Sequence, residues 1–257
     1  MEKTKMTSQN SIKDFTHVHN LTEYMKIVEK IVLGTKRNDL KVLDIPAGNG
    51  LLAENLRSHG HTVTCADFNS ERKEYDYVNM EMKLPYADAS FDVVICLEGI
   101  EHVIAPNSLV SEICRITKPN GFVIISLPNV QSLFSRLKFL FTGTFYQFEP
   151  EGCRHPMGRL IDRGHISPVT LVQLNYLFGE SEFKPQIVTG DKIKKKILLP
   201  IYPILWAINL LFLTLRSMKN NDYNVKTLYK FLTSSRCMMS RSLISVWSKS
   251  KVNSDYK

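Results

Sequence analysis

Short apolar runs alternating with helix-period stretches constrain this chain more than any other feature. Residues 42–45, 62–66, 91–97 and 122–127 have strand length and are rich in Val, Ile, Leu, Phe and Cys, and 91–97 is a nearly unbroken apolar run. A strand that is apolar on both faces is buried on both, as in a parallel sheet covered by helices on either side. The stretches between have helical character. Residues from Leu51 onward start one helix, and Pro106 opens another whose Leu109, Val110, Ile113 and Ile116 share a face. Before the first strand, Asn20 with Glu23 three residues on reads as a capping box, and Leu21, Met25, Val28, Ile31 and Val32 line one face of the helix that follows. These patterns predict a doubly wound α/β domain over residues 20–130.

The rest of the chain is less regular. Residues 132–141 read as a basic helix and 142–164 as a loop punctuated by glycine and proline. Ser167-Pro168 starts a helix running through Phe178, and 184–188 and 243–247 read as strands. At 257 residues the chain can bury one full core, so one domain with an elaboration is expected. The formal charge of +8 suits an anionic partner: nucleic acid, a phosphorylated substrate or a membrane surface. The first 15 residues are polar and lack the apolar stretch of a secretory signal. Five cysteines (65, 96, 114, 153 and 237) form no C-x-x-C pair, so a reduced, cytoplasmic setting is expected, with the thiols acting as small hydrophobes.

The turn after the first strand, KVLDIPAGNG, carries Gly48-Asn49-Gly50-Leu51-Leu52-Ala53, a G-x-G-x-x-A pattern, and Asp67 closes the second strand at the distance expected of a ribose ligand. Alone, this is also what an ordinary strand-to-helix turn looks like. Three further segments narrow it. VTCADFN, LPYADASFDVVICLEGIEHV and TKPNGFVIISLPN follow in order and spacing, and with the loop they resemble the class I S-adenosylmethionine-dependent methyltransferases, in particular the large group that includes the ubiquinone-biosynthesis O-methyltransferases. The resemblance implies a Rossmann-like, seven-stranded, mostly parallel sheet with helices on both faces, closed by the strands at 184–188 and 243–247. It implies S-adenosylmethionine as cofactor. Asp44 and the backbone at Ala47, Gly48 and Gly50 would hold the methionine end, Asp67 the ribose and Phe68 the adenine. Asn79 stands where relatives place an adenine-reading aspartate, and Leu97 and Glu98 would line the pocket. Pro46 replaces the first glycine of the usual pattern and fits if the turn there needs neither positive φ nor an N–H.

Methyl transfer to a hydroxyl requires an aligned acceptor and removal of its proton. Glu98, Glu101 and His102 follow the fourth strand as E-x-x-E-H, which in the resembling enzymes is similar to a divalent-metal site completed by a later histidine. His165, then His155, are the candidates for that ligand, and the donor set suits Mg²⁺ or Mn²⁺. The alternative is that Glu98 only contacts the cofactor and Glu101-His102 only end a helix, as in relatives that use no metal. Either way, His102 and His165 are the candidate general bases. His17 and His19 read as surface histidines.

Residues 197–215, ILLPIYPILWAINLLFLTL, contain no charge and stand between Lys192, Lys194, Lys195, Lys196 and Arg216, Lys219. As one helix they would span roughly 28 Å. Pro200 and Pro203 interrupt the start, so a segment lying in the membrane interface is expected, against a buried helix or a dimer face. The chain then divides into a polar start at 1–19, a cofactor-binding domain at 20–190, an insertion with a membrane-associating surface at 192–219 within 191–240, and the last strand and tail at 241–257. The expected acceptor is a small molecule, lipid-linked or glycan-like. RNA 2′-O-methylation and a non-catalytic binding role are the alternatives. The clustered charge lacks interleaved aromatics, which argues against nucleic acid.

Overall fold

The sheet has the strand order β3-β2-β1-β4-β5-β7-β6. Its strands are β1 (Lys41–Asp44), β2 (Thr62–Asp67), β3 (Asp76–Tyr77), β4 (Phe91–Leu97), β5 (Thr117–Pro128), β6 (Lys184–Gly190) and β7 (Ser242–Ser248). The first five are parallel, while β7 runs antiparallel to both β5 and β6. The computed structural model describes residues 20–68, 72–149, 164–193, 196–218 and 223–252. His17, His19, Cys153, His155, Lys194, Lys195 and Lys219 lie outside them.

Alternation along each strand assigns the two faces. Val93, Ile95 and Leu97 of β4 and Phe122 and Ile124 of β5 join one core cluster with α1 (Glu23–Leu33) and α2 (Leu51–Ser58). Val94, Cys96, Val123, Ile125 and Leu127 point the other way, toward α3 (Pro106–Ile116) and α5 (Leu171–Gly179). Both faces are dry, which is why these strands read as continuous apolar runs rather than as alternating ones. On the second face Trp247 is fully buried and stacks on Phe178 at 4.7 Å between ring centroids. Helix α4 (Leu133–Thr142) follows β5 and is capped by Ser132. Between β6 and β7 lie a 3₁₀ turn (Lys196–Leu198) and helices α6 (Tyr202–Met218), α7 (Tyr223–Leu232) and α8 (Ser235–Met239).

Several boundaries differ from the sequence reading. Thr22, not Asn20, caps α1, its hydroxyl accepting the Met25 N–H, and Glu23 pairs with Lys26 at 3.0 Å instead of closing a capping box. Helix α5 begins at Leu171, because Val169 N–H turns back to Ser167 O and Thr170 then caps the helix by accepting from Gln173 N. Strand β5 starts at Thr117 rather than Phe122, with residues 118–121 an irregularity inside it: Thr117 pairs with Phe91 and Phe122 with Val93. As Pro200 and Pro203 predict, however, the apolar run 197–215 is not one helix. A 3₁₀ turn precedes Pro200, and the α-helix starts only at Tyr202, with Pro203 in its first turn, where a missing N–H costs nothing. No helix among the described residues is long and apolar enough to cross a membrane.

The motif LPYADASFD is organised by two charged centres away from the strand tips. Arg115 binds Glu112 and Asp88 at 2.7 Å each and the carbonyls of Leu84 and Tyr86, fixing the segment across α3. Asp92 accepts from Arg37 and Lys118 at 2.8 Å and from Lys41 N at 3.1 Å. These contacts hold the start of β4, at the end of the sheet opposite the glycine turn.

Candidate active site

Strands β1, β2 and β4 end side by side, and the glycine turn leaves from the first. Ile45 N donates to Ile95 O and Ala47 N to Ala66 O, both at 2.9 Å, so the turn is stitched to both neighbouring strands. The Ile45–Pro46 peptide is cis. Pro46 is not among the residues with positive φ, as its ring requires, and it packs on Gly99: a Cβ there would fall 2.5 Å from Pro46 Cδ. Gly48 and Gly50 have φ of +54° and +74°, a region open to glycine at little cost. A Cβ at Gly48 would meet open space, whereas at Gly50 it would fall 2.1 Å from Tyr75 Oη. Gly48 N–H donates to Asp67 Oδ2 at 3.0 Å.

Asp44 and Asp67 are nearly buried at the tips of β1 and β2. Burial, and then the neighbouring Asp67, push the Asp44 carboxyl up to about 7, with Arg57 opposing the shift. Two crowded carboxylates beside a glycine turn fit a ligand that is cationic and carries a ribose diol, and S-adenosylmethionine is both. Phe68 is 37% exposed just past Asp67. Val78 N donates to Asp67 O, which brings Asn79 to the same end of the sheet. Asn79 Oδ1 accepts Glu81 N–H at 2.9 Å, leaving one lone pair of that oxygen for a ligand.

The proposed metal residues do not all converge. Glu98 follows the nearly buried Leu97 with φ of +48°, an unusual conformation for a side-chain-bearing residue. This turns its carboxylate toward β5 and β7, where Ser126 Oγ donates to it at 2.8 Å and Arg241 and Ser242 are close. Burial pushes its carboxyl up. Glu98 therefore stands apart from Glu101, His102 and His165. Glu101, His102 and His165 do meet, each offering a ligand atom within 4.8 Å of the others. The 3₁₀ turn Ile100–His102 starts one residue after Gly99, hence beside Pro46 and the glycine turn. Ile166 N and Ser167 N both donate to Glu101 O, at 2.9 and 3.0 Å, and Ser167 Oγ donates to Val103 O, so His165 is delivered onto His102 with ring centroids 4.8 Å apart. One carboxylate and two imidazoles form a donor set suited to a divalent cation.

Three residues here had no signal in the sequence. Tyr75 covers Gly50. Tyr24 of α1 lies close enough to Glu98, Glu101 and Arg241 to feel their charge, and burial pushes its phenol up. Arg241 reaches Glu98 from beyond the insertion. Each depends on a long-range approach that no local pattern encodes.

This architecture, a doubly wound sheet whose first two parallel strands end in carboxylates around a glycine turn, is that of a domain that binds a nucleoside cofactor. A profile of the methyltransferase domain matches residues 16–186, and the chain belongs to that family. The strand-tip carboxylates and the glycine turn fit S-adenosylmethionine as the cofactor of such a domain. Among relatives, it is 37% identical over 126 residues to the ubiquinone biosynthesis O-methyltransferase of Rickettsia typhi, covering 43% of this chain and 50% of the relative. It is 34% identical over 104 residues to that of Paracidovorax citrulli, covering 35% and 44%. The chain thus spans half or less of the length of these curated relatives. In fold it is similar to an S-adenosylmethionine-dependent methyltransferase from Archaeoglobus fulgidus, with TM-score 0.53, 14% identity, and 87% and 93% of the two chains covered.

Proposed function

We propose that the protein methylates a hydroxyl oxygen of a lipid-linked or glycan-type acceptor. The observation that carries this reading is the position of the Glu101–His102–His165 group beside the cofactor turn, where an acceptor hydroxyl would have to lie. S-adenosylmethionine supplies an activated methyl on a sulfonium. The protein's own tasks are to hold and orient both partners and to take up one proton. Asp44 and the Gly48–Gly50 backbone hold the cationic end, Asp67 the ribose, and Phe68 and Asn79 the adenine. His102 or His165 receives the acceptor proton, and Glu101 opposes the positive charge so created. Sequence similarity to named O-methyltransferases supports oxygen as the acceptor atom, and the apolar surface of the insertion supports a lipid-linked substrate.

The same group supports a second reading in which Glu101, His102 and His165 hold Mg²⁺ or Mn²⁺. Bound there, the cation would lower the acceptor hydroxyl's pKa and orient it. Transfer of labelled methyl from S-adenosylmethionine into fractionated lipid, glycan and RNA pools, with and without chelator, tests both. Label in the lipid or glycan pool is expected. Label confined to RNA would replace the acceptor proposal, and transfer unaffected by chelator would remove the metal. Calorimetric cofactor binding with no transfer to any pool would leave a non-catalytic binding protein.

A further inference from the structure

We propose that helices α4 and α6 together form a docking face for an anionic lipid bilayer. Helix α6 lies on the surface, and none of its described side chains is fully buried. Its inner side is partly covered, with Leu205 against Met238 and Met239 and Leu213 against the main core. Its outer side carries Ile204, Ile208, Leu211, Phe212 and Leu215, between 48% and 67% exposed. At helical periodicity these five fall within an arc of about 100°. An ordinary surface helix is polar on that side. Helix α4 meets α6 where Arg136 Nη1 donates to Asn209 Oδ1 at 2.8 Å. About one turn further along α4, Phe139, Leu140 and Phe141 are also exposed. Single exposed hydrophobes are commonplace, but so many on two joined helices mark an interaction surface.

Charge selects the occupant. Residues 191–240 hold nine Lys or Arg against two Asp, +7 out of the chain's +8. An apolar face within a basic segment matches acyl chains beneath anionic headgroups. A second copy of the chain fits less well, because a symmetric interface would oppose two equally basic segments. Since no described helix is long enough to cross, α6 would lie in the plane of the interface. It is braced there by Trp206, whose indole N–H donates to Thr233 O at 3.0 Å. The face also leads to the active site: Phe139 stacks on Phe145 at 4.5 Å, and Phe148, on the same loop, meets His165 at 5.5 Å. Only this last link rests on the transferase reading, and the docking itself does not.

Flotation with phosphatidylglycerol vesicles and with phosphatidylcholine vesicles tests the proposal without an acceptor, so its failure and failure of the transferase reading are separate results. The full chain is expected to float with the anionic vesicles, less with the neutral ones, and less as salt is raised. The pairs Ile208→Asp with Leu211→Asp, and Leu140→Asp with Phe141→Asp, are each expected to weaken flotation about tenfold or more, with thermal midpoint and cofactor affinity unchanged. Lys226→Glu with Lys230→Glu, both exposed on α7, should weaken it on anionic vesicles alone. Three results would overturn the proposal: no flotation of the wild type, flotation insensitive to all three variants, or a dimer that the aspartate pairs convert to monomers.

Discussion

The Asp44 carboxyl, pushed up to about 7 by burial and by Asp67, ties stability and ligand binding to pH in opposite directions. In the unfolded chain an aspartate titrates at about 3.9. Between those two values the folded protein holds a proton that the unfolded chain has released, so the cofactor-free protein loses stability as pH rises from about 4 to about 7, and then levels off. Asp44→Asn should flatten that decline and raise the thermal midpoint at about pH 8, as calorimetry would measure. Cofactor binding should run the other way. A cationic ligand needs the carboxylate, so affinity is expected to rise with pH, by up to about tenfold per unit below 7, and the Asn variant should bind weakly with no such slope. The glycines of the turn separate in a similar way. Gly48→Ala meets open space and bears only the backbone cost of roughly 1–2 kcal/mol. Gly50→Ala bears that cost and also displaces Tyr75, so it should lower both stability and cofactor affinity further, as parallel denaturant and binding titrations would show. At this scale the glycines and the strand-end acids were legible, because each answers a local backbone or register demand. Tyr75, Tyr24 and Arg241 were not, because each reaches the site from a distant segment. The turn of Glu98 away from Glu101 depends on one backbone angle that a motif does not specify.

Among the elements, β4 and the apolar half of β5 could be read directly, since burial on both faces leaves runs with no polar interruption. Strand β3 could not: it is a two-residue edge strand, Asp76–Tyr77, with both side chains exposed. Helix starts were misplaced wherever the deciding cap was one of several plausible residues, as with Thr22 against Asn20. Strand β7 is the element on which the second face depends. Ser242–Ser248 is buried along its whole length, and Trp247 stacks on Phe178 of α5. Trp247→Ala should destabilise the protein by about 3–5 kcal/mol, read as a lowered urea midpoint, because the cavity cannot collapse between a sheet and a helix. Trp247→Phe, which keeps an aromatic ring against Phe178, should recover much of that loss.

For the molecule as a whole, the order of strands in space is not the order in sequence. Strand β7 is made last, yet it lies between β5 and β6 and pairs with both. A chain ended at residue 240 would therefore leave two strands without their shared partner. Such a truncation is expected to be insoluble or to elute as aggregates by size exclusion, even though it keeps every proposed cofactor residue. The sequence located the insertion by its composition. It did not show that α7 and α8 return apolar side chains to the core, because that packing appears only once β6 and β7 are paired.

The two ends of that insertion meet. Ile193 bridges to Ser240, Arg241 N donates to Lys192 O, and Asp191 Oδ1 accepts from both Arg241 N and Ser242 N. In topological terms residues 194–239 are the tip of a β-hairpin, however long they are. They form a cassette that can be exchanged at a closed junction. Any replacement must supply apolar groups where Leu228, Leu232 and Cys237 now join the core. Within that constraint, the exposed face of the insertion can be altered while the residues at the strand tips stay as they are.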